Sequence, residues 1–174
     1  MEVSYTLFET ELGWMGVAAS VAGLRRIMLP RPSQEVVFQL IREDFPKATR
    51  DHSFFSDLPQ RLKRYLEGEP VSFDDELDLA PATPFRRAVW EATRSIPYGE
   101  IRSYSWVAHH IGKPRALRAV GQALGHNPVP IVVPCHRVVN KNGNLGGFGG
   151  GLDMKKRLLE IEALFRKRNQ KVPR

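Results

Sequence analysis

Cysteine is almost missing from this chain of 174 residues: only Cys135 is present. A single thiol excludes an internal disulfide and a cysteine-rich zinc site, and it suits a reducing compartment. No apolar stretch approaches the ~20 residues that a helix needs to span a bilayer. The opening Met1-Glu2-Val3-Ser4-Tyr5 has no basic flank leading into an apolar run, so the expectation is a cytoplasmic protein with no membrane partner. Metal is not expected either. His109 and His110 are adjacent, which on a helix points their rings about 100° apart, and no carboxylate lies at ligand spacing. The run Gly146-Gly147-Phe148-Gly149-Gly150-Gly151 lacks the Gly-Lys-Ser/Thr that a phosphate loop needs after it.

Acidic residues are also scarce in the second half. Up to Ala80 there are 9 Lys+Arg against 14 Asp+Glu, net −5; residues 81–174 hold 17 against 5, net +12. A field this positive attracts polyanions, nucleic acid above all, although a merely solvated basic surface has the same composition.

The pattern predicts an α/β (α+β) protein with an N-terminal domain over residues 1–80 and a C-terminal domain over residues 81–174. Residues 3–29 alternate apolar and polar around Glu11-Leu12-Gly13 and Val21-Ala22-Gly23, as in three short antiparallel strands. Ser33 is placed to cap a helix running to about Asp44, with Val36, Val37, Leu40 and Ile41 on one face and Pro46 beyond it. A second helix is expected over Leu58–Leu66. Residues 68–84 are acidic and proline-bearing, so they read as a linker with a short strand at residues 72–79. Thr83-Pro84 opens the next helix, whose stripe is Phe85, Val89 and Trp90, and which stops before Pro97-Tyr98-Gly99. Ser103 caps a helix to about His110, Gly112-Lys113-Pro114 turns, and residues 115–124 form another helix: a helix-turn-helix pattern. Leu152, Leu158, Leu159 and Leu164 mark a closing helix before a frayed basic tail from Arg166.

Cys135 lies in Ile131-Val132-Val133-Pro134-Cys135-His136-Arg137-Val138-Val139. Its two chain neighbours, an imidazole and a guanidinium, predict a depressed thiol pKa and a populated thiolate. A packed, inert core cysteine is the competing reading, and on a strand His136 points away from Cys135 unless the chain bends or a water bridges them. In the second helix of the pair Ala116, Ala119, Gly121 and Ala123 are small, which suits close approach to a neighbouring helix or to a DNA groove. Arg118 among them is wasted in a core but can reach phosphate or enter a base stack.

Arg118-Ala119-Val120-Gly121, Asn127-Pro128-Val129-Pro130-Ile131, Pro134-Cys135-His136-Arg137-Val138 and Gly150-Gly151-Leu152 together resemble the O6-alkylguanine-DNA alkyltransferases, from about Thr83 to Glu162. The first 80 residues carry no comparable motif; only their strand-then-helix order suits the variable N-terminal domain of that family. The resemblance implies direct repair of double-stranded DNA carrying O6-alkylguanine, with O4-alkylthymine as a further possible substrate. The alkyl group passes irreversibly to the protein's own Cys135, once per molecule, in a monomer with no cofactor. It implies His136 acting through a water as base, Glu162 orienting it, Tyr104 donating a proton toward the leaving guanine, and Asn127 bracing the turn. Arg118 fills the gap left by the flipped nucleotide, with Ala119, Gly121, Ser103, Arg115 and Lys113 also on the DNA side. Pro130, Val132, Val138, Phe148 and Gly149 line the pocket; Phe148 and Gly149 stand where the family also uses tyrosine and serine, so a backbone amide replaces a hydroxyl donor. In-line attack at a saturated carbon requires the base to leave the duplex, so a flipping device and a pocket are needed together.

Two rivals remain at this level. A DNA-binding regulator or lesion-recognition module with a structural cysteine shares the basic half and the helix-turn-helix. A Cys-His peptidase is disfavoured by that same basic surface.

Overall fold

The computed structural model describes residues 1–170, in two compact units, the first Met1–Ala80 and the second starting at Pro81.

The first unit is a four-stranded sheet carrying two helices. β1 (Ser4–Thr10), β2 (Gly13–Ser20) and β3 (Gly23–Arg31) form the expected antiparallel meander, with Ser4 opposite Ala19 and Val17 opposite Ile27. The two-residue β4 (Thr49–Arg50) adds to β1 in parallel, giving the order β3-β2-β1-β4. α1 (Gln34–Asp44) starts where Ser33 accepts from the Val36 amide. It buries Val37 and Ile41 against Tyr5, Leu7, Ala18 and Met28, but Val36, expected on that face, is exposed. α2 (Leu58–Leu66) has the expected bounds and buries Leu58, Leu62, Tyr65 and Leu66.

The acidic segment is not a loose linker, and residues 72–79 do not form a strand. A single bridge pairs Leu77 with Leu24, where the Leu24 amide donates to Glu76 O (2.8 Å) and the Asp78 amide to Leu24 O (3.0 Å). Gly23 permits this approach: its φ is +139°, and a Cβ there would lie 2.5 Å from Glu76 O. Ser20 Oγ donates to Asp78 Oδ2 at 2.7 Å and Arg25 stands 3.6 Å away, while Arg61 grips Asp75 through two nitrogens at 2.7 and 2.8 Å. Side-chain anchoring replaces the ladder that the sequence suggested.

The second unit is mainly helical. α3 (Pro84–Arg94) begins at the Thr83 cap with Pro84 in its first turn, and it buries Val89 and Trp90. β5 (Arg102–Ser103) leads directly into α4 (Tyr104–His110), whose start is capped by Ser103 Oγ accepting from the Trp106 amide. α5 (Leu117–Gly125) completes the helix-turn-helix. The Trp90 indole donates to Ala123 O at 2.8 Å, fastening α3 to α5. Ala123 is buried there, so of the two readings of the small residues, packing on a neighbouring helix is the one that holds for it. β6 (Val138–Val139) pairs in parallel with β5. α6 (Leu152–Gln170) buries Lys155, Leu158, Ile161 and Glu162, whereas Leu152 and Leu164 are exposed. Helix continues through Arg166 to Gln170, so that part of the tail is not frayed; the rest of the tail lies outside the described residues. Among the described residues no helix is long and apolar enough to cross a membrane.

Candidate active site

The run around Cys135 is not a strand. Asn127 lies two residues beyond the end of α5; its Oδ1 accepts from the Val129 amide (3.0 Å) and its Nδ2 donates to Val133 O (2.8 Å). Between them Ile131 adopts φ +76°, a conformation that a β-branched residue takes only under constraint, at about 1–3 kcal/mol. The Val133 amide closes the turn on Val129 O. Cys135–Arg137 then form one 3₁₀ turn. At three residues per turn, consecutive side chains point ~120° apart, so Cys135 and His136 face different surroundings despite being adjacent.

Cys135 faces a cavity of about 760 Å³ lined also by Tyr104, Leu117, Arg118, Gly121, Asn140 and the glycine segment from Gly146 to Gly149. Asn127 Nδ2 donates to Sγ at 3.1 Å. Burial pushes the thiol pKa above its ordinary value, and the Asn127 hydrogen bond and the Lys155 charge only partly offset that. The depressed pKa expected from the sequence is therefore wrong for the free protein. The guanidinium that was to help is turned elsewhere.

Arg137 belongs to a buried cluster behind the turn. Glu162 of α6 accepts from His136 Nε2 (2.7 Å), from Arg137 Nε (3.0 and 3.1 Å) and Nη2 (2.9 Å), and from the Gly99 amide (2.9 Å). Arg137 Nη1 also donates to Ile96 O, and its guanidinium lies over the Tyr98 ring. Burial raises the Glu162 pKa, but the hydrogen bonds and charges of His136 and Arg137 outweigh it and hold the carboxyl at about 2. Burial lowers the His136 pKa, so the ring is neutral near pH 7. An ionised carboxylate can only accept; Nε2 therefore carries the hydrogen, and the basic lone pair is on Nδ1.

Lys155 escaped the sequence reading. It is fully buried in α6 and donates to Val138 O (2.7 Å), Gly147 O (3.0 Å) and Leu145 O. It thus ties β6 to the glycine wall and sits 5.7 Å from the centre of the Tyr104 ring. Burial pulls its pKa down to about 8, yet three carbonyl acceptors match the three protons of an ammonium, leaving it charged near neutrality. A signal was available: Lys155 falls three residues before Leu158 and seven before Glu162, on one helical stripe.

The remaining candidates divide. Tyr104 lines the cavity with its hydroxyl donating weakly to Gly147 O (3.5 Å), and burial raises its pKa, keeping the phenol protonated. Arg118 and Gly121 line the cavity, with Arg118 exposed like Lys113 and Arg115; Ala119 is half-buried. The Ser103 hydroxyl is engaged as the α4 cap. Phe148 and Gly149 line the cavity as expected, but Pro130, Val132 and Val138 do not; they are buried behind the turn. The Val138 amide donates to Cys135 O and its carbonyl accepts from Lys155, so neither group is idle.

Comparison with known proteins accounts for both units. The DNA-binding domain of 6-O-methylguanine DNA methyltransferase matches residues 84–164, and the ribonuclease-like domain of the same enzyme matches residues 3–79. The methylated-DNA–protein-cysteine methyltransferase of Methanosarcina acetivorans is 39% identical over 160 residues, covering 91% of this chain and 97% of that protein. The enzyme so named from Mycobacterium bovis is 52% identical over 114 residues, 66% of this chain and 68% of its own. The crystal structure of Mycobacterium tuberculosis OGT in complex with DNA matches with a TM-score of 0.77 at 39% identity, covering 94% of each chain. The chain belongs to the 6-O-methylguanine DNA methyltransferase family. Its activity is accordingly DNA repair by alkyl transfer, and a lesion-recognition module with a structural cysteine is not favoured.

Proposed function

We propose that this chain binds double-stranded DNA through its second unit, residues 81–174, and takes the alkyl group of O6-alkylguanine irreversibly onto Cys135, as a monomer. The observation that carries the reading is the position of the Cys135 sulfur. It opens on a cavity whose rim bears Arg118 and whose wall holds Tyr104, and Asn127 fixes it from one side.

The chemistry follows from the protonation states. The thiol enters the reaction protonated, so its proton leaves as the S–C bond forms and the C–O6 bond breaks. Neutral His136 has a lone pair on Nδ1 to receive that proton through a bridging water, and the imidazolium then faces the ionised Glu162. The departing guanine gains a proton from the Tyr104 phenol, and the proton taken up by His136 returns through water to the phenolate, so both side chains end as they began. The Lys155 ammonium lowers the energy of negative charge on sulfur during the transfer. The product is a thioether, which thiol exchange cannot reopen, so each molecule acts once. Arg118 occupies the gap in the stack while the alkylated nucleotide is in the cavity.

The test is the intact mass of the protein before and after mixing with an excess of an O6-methylguanine duplex. One methyl group per molecule, on Cys135, is expected, with no further reaction. Continued turnover without thioether would overturn the reading. Cys135→Ala should abolish transfer and retain DNA binding; an O4-methylthymine duplex extends the same assay, and sedimentation with DNA reads the oligomeric state.

A further inference from the structure

Four large apolar side chains of the second unit are exposed among the described residues: Ile101, Leu117, Leu152 and Leu164. Only Leu117 also lines the Cys135 cavity. It is the first residue of α5, 47% exposed, and the next residue is Arg118. Its neighbours in sequence are cationic: Lys113, Arg115 and Arg118 are all exposed, and none of them is paired with a carboxylate among the described residues. The helix behind it is low. Above Gly121 the nearest atom to an added Cβ is Tyr104 Cε1, at 4.0 Å.

We propose that Leu117 is an apolar wedge for DNA, entering the minor groove beside Arg118 and packing on the base stack that the flipped nucleotide vacates. The inference rests on the reading of Cys135 as alkyl acceptor. Its physical basis is a division of labour between neighbouring side chains. A guanidinium can replace stacking and reach phosphate, but it stays hydrated and is attracted equally to DNA that has not been opened. A leucine gains nothing from phosphate; its favourable term is loss of contact with water, which requires an unstacked base step to receive it. The surrounding cations bring the duplex to the surface, and the leucine favours the open form of the duplex over the closed one. Its place on the cavity rim aligns the wedge with the point from which the nucleotide must enter. The occupant is nucleic acid, not a protein surface, because the exposed cations Lys113, Arg115 and Arg118 flank this apolar side chain in the sequence and none has a carboxylate partner among the described residues.

The experiment compares single-turnover transfer to Cys135 from three substrates: an O6-methylguanine duplex, the same lesion in a single strand, and free O6-benzylguanine. Leu117→Ala should lower the ratio of the duplex rate to the free-base rate about tenfold, equivalent to about 1.4 kcal/mol. The single strand should be affected less, and Leu117→Met should restore most of the duplex rate. Because the wedge is uncharged, Leu117→Ala should leave the salt dependence of DNA binding as in wild type, whereas Arg118→Ala should reduce the slope by about one charge. An unchanged ratio in Leu117→Ala, or equal losses on all three substrates, overturns the wedge while the alkyl-acceptor reading stands. If wild-type protein transfers from none of the three, that reading fails and the wedge fails with it.

Discussion

Glu162→Gln isolates the cluster behind the thiol. The substitution keeps the shape of the side chain and removes its charge, leaving the buried Arg137 with a neutral amide, Ile96 O and the face of Tyr98 as partners and no counter-charge. Breaking a buried ion pair on one side typically costs about 3–5 kcal/mol. A second route gives a similar figure. The carboxyl titrates at about 2 in the fold against an ordinary 4.5, and that displacement corresponds to roughly 3 kcal/mol of stability at neutral pH. Because the folded pKa is the lower one, this contribution is complete above pH 4.5, and it disappears as the pH falls from 4.5 to about 2. Burial depresses the pKa of His136 as well, so its protonation also works against the fold as pH drops below its ordinary 6.5. Urea unfolding followed by helical circular dichroism, for wild type and Glu162→Gln at several pH values, reads these quantities. The variant should be less stable by about 3 kcal/mol at pH 7, with the deficit closing toward zero near pH 2. A deficit under about 0.5 kcal/mol at pH 7, or one that does not change with pH, refutes the electrostatic account. Any loss of transfer in this variant is interpretable only after its folded fraction is known.

Three further outcomes are expected. Carbamidomethylation of Cys135 in DNA-free protein should keep accelerating with pH past the usual thiol value, since burial raises the pKa; a plateau at or below neutrality contradicts the buried, protonated sulfur. Gly146→Ala puts a Cβ 2.5 Å from the Tyr104 hydroxyl at a φ of +71°, so Tyr104 must move, and the variant should lose about 1–3 kcal/mol in thermal unfolding and transfer more slowly even from free O6-benzylguanine. Lys155→Met removes the ammonium donor from the carbonyls of Val138, Leu145 and Gly147 and should cost about 2–4 kcal/mol in urea unfolding. The same variant should shift the Cys135 alkylation profile to still higher pH, and an unshifted profile removes Lys155 from the electrostatics of the sulfur.

What could be read from the sequence was local. Ser33, Thr83 and Ser103 cap helices because each needs only an amide two or three residues ahead, and the three hairpin strands follow from alternation and glycine turns. β4 could not be read: its two exposed residues carry no pattern and are strand only because the Thr49 and Asp51 amides reach Val3 O and Tyr5 O. The acidic segment misled because its anchors, Ser20, Arg25 and Arg61, are distant in sequence. The leucines that marked α6 do not all face inward: Leu158 is buried, but Leu152 and Leu164 face out while a lysine and a glutamate occupy inner positions. A buried polar side chain is tolerated only with partners supplied by other elements, and those partners are invisible in a helical window.

The same non-locality explains why the thiol was misjudged. Arg137 follows Cys135 by two residues, which reads as a positive charge for the sulfur; in the fold that charge is spent on Glu162. The cation that does act on the sulfur, Lys155, is twenty positions away by its numbering and held by carbonyls of the wall that closes the cavity. Placing the strong ion pair behind His136 and only a carbonyl-bound ammonium near Cys135 keeps the sulfur protonated while the cavity holds no alkylated base. In the proposed mechanism proton loss is then part of the transfer step itself, where the forming S–C bond relieves the charge that a free thiolate would have to carry in a desolvated site. The rate should therefore depend on the receiving ability of His136 more steeply than on the thiolate population of the resting protein. Replacing Glu162 acts on the first quantity, changing the bulk pH on the second, so the two contributions are separable in one set of pH–rate profiles.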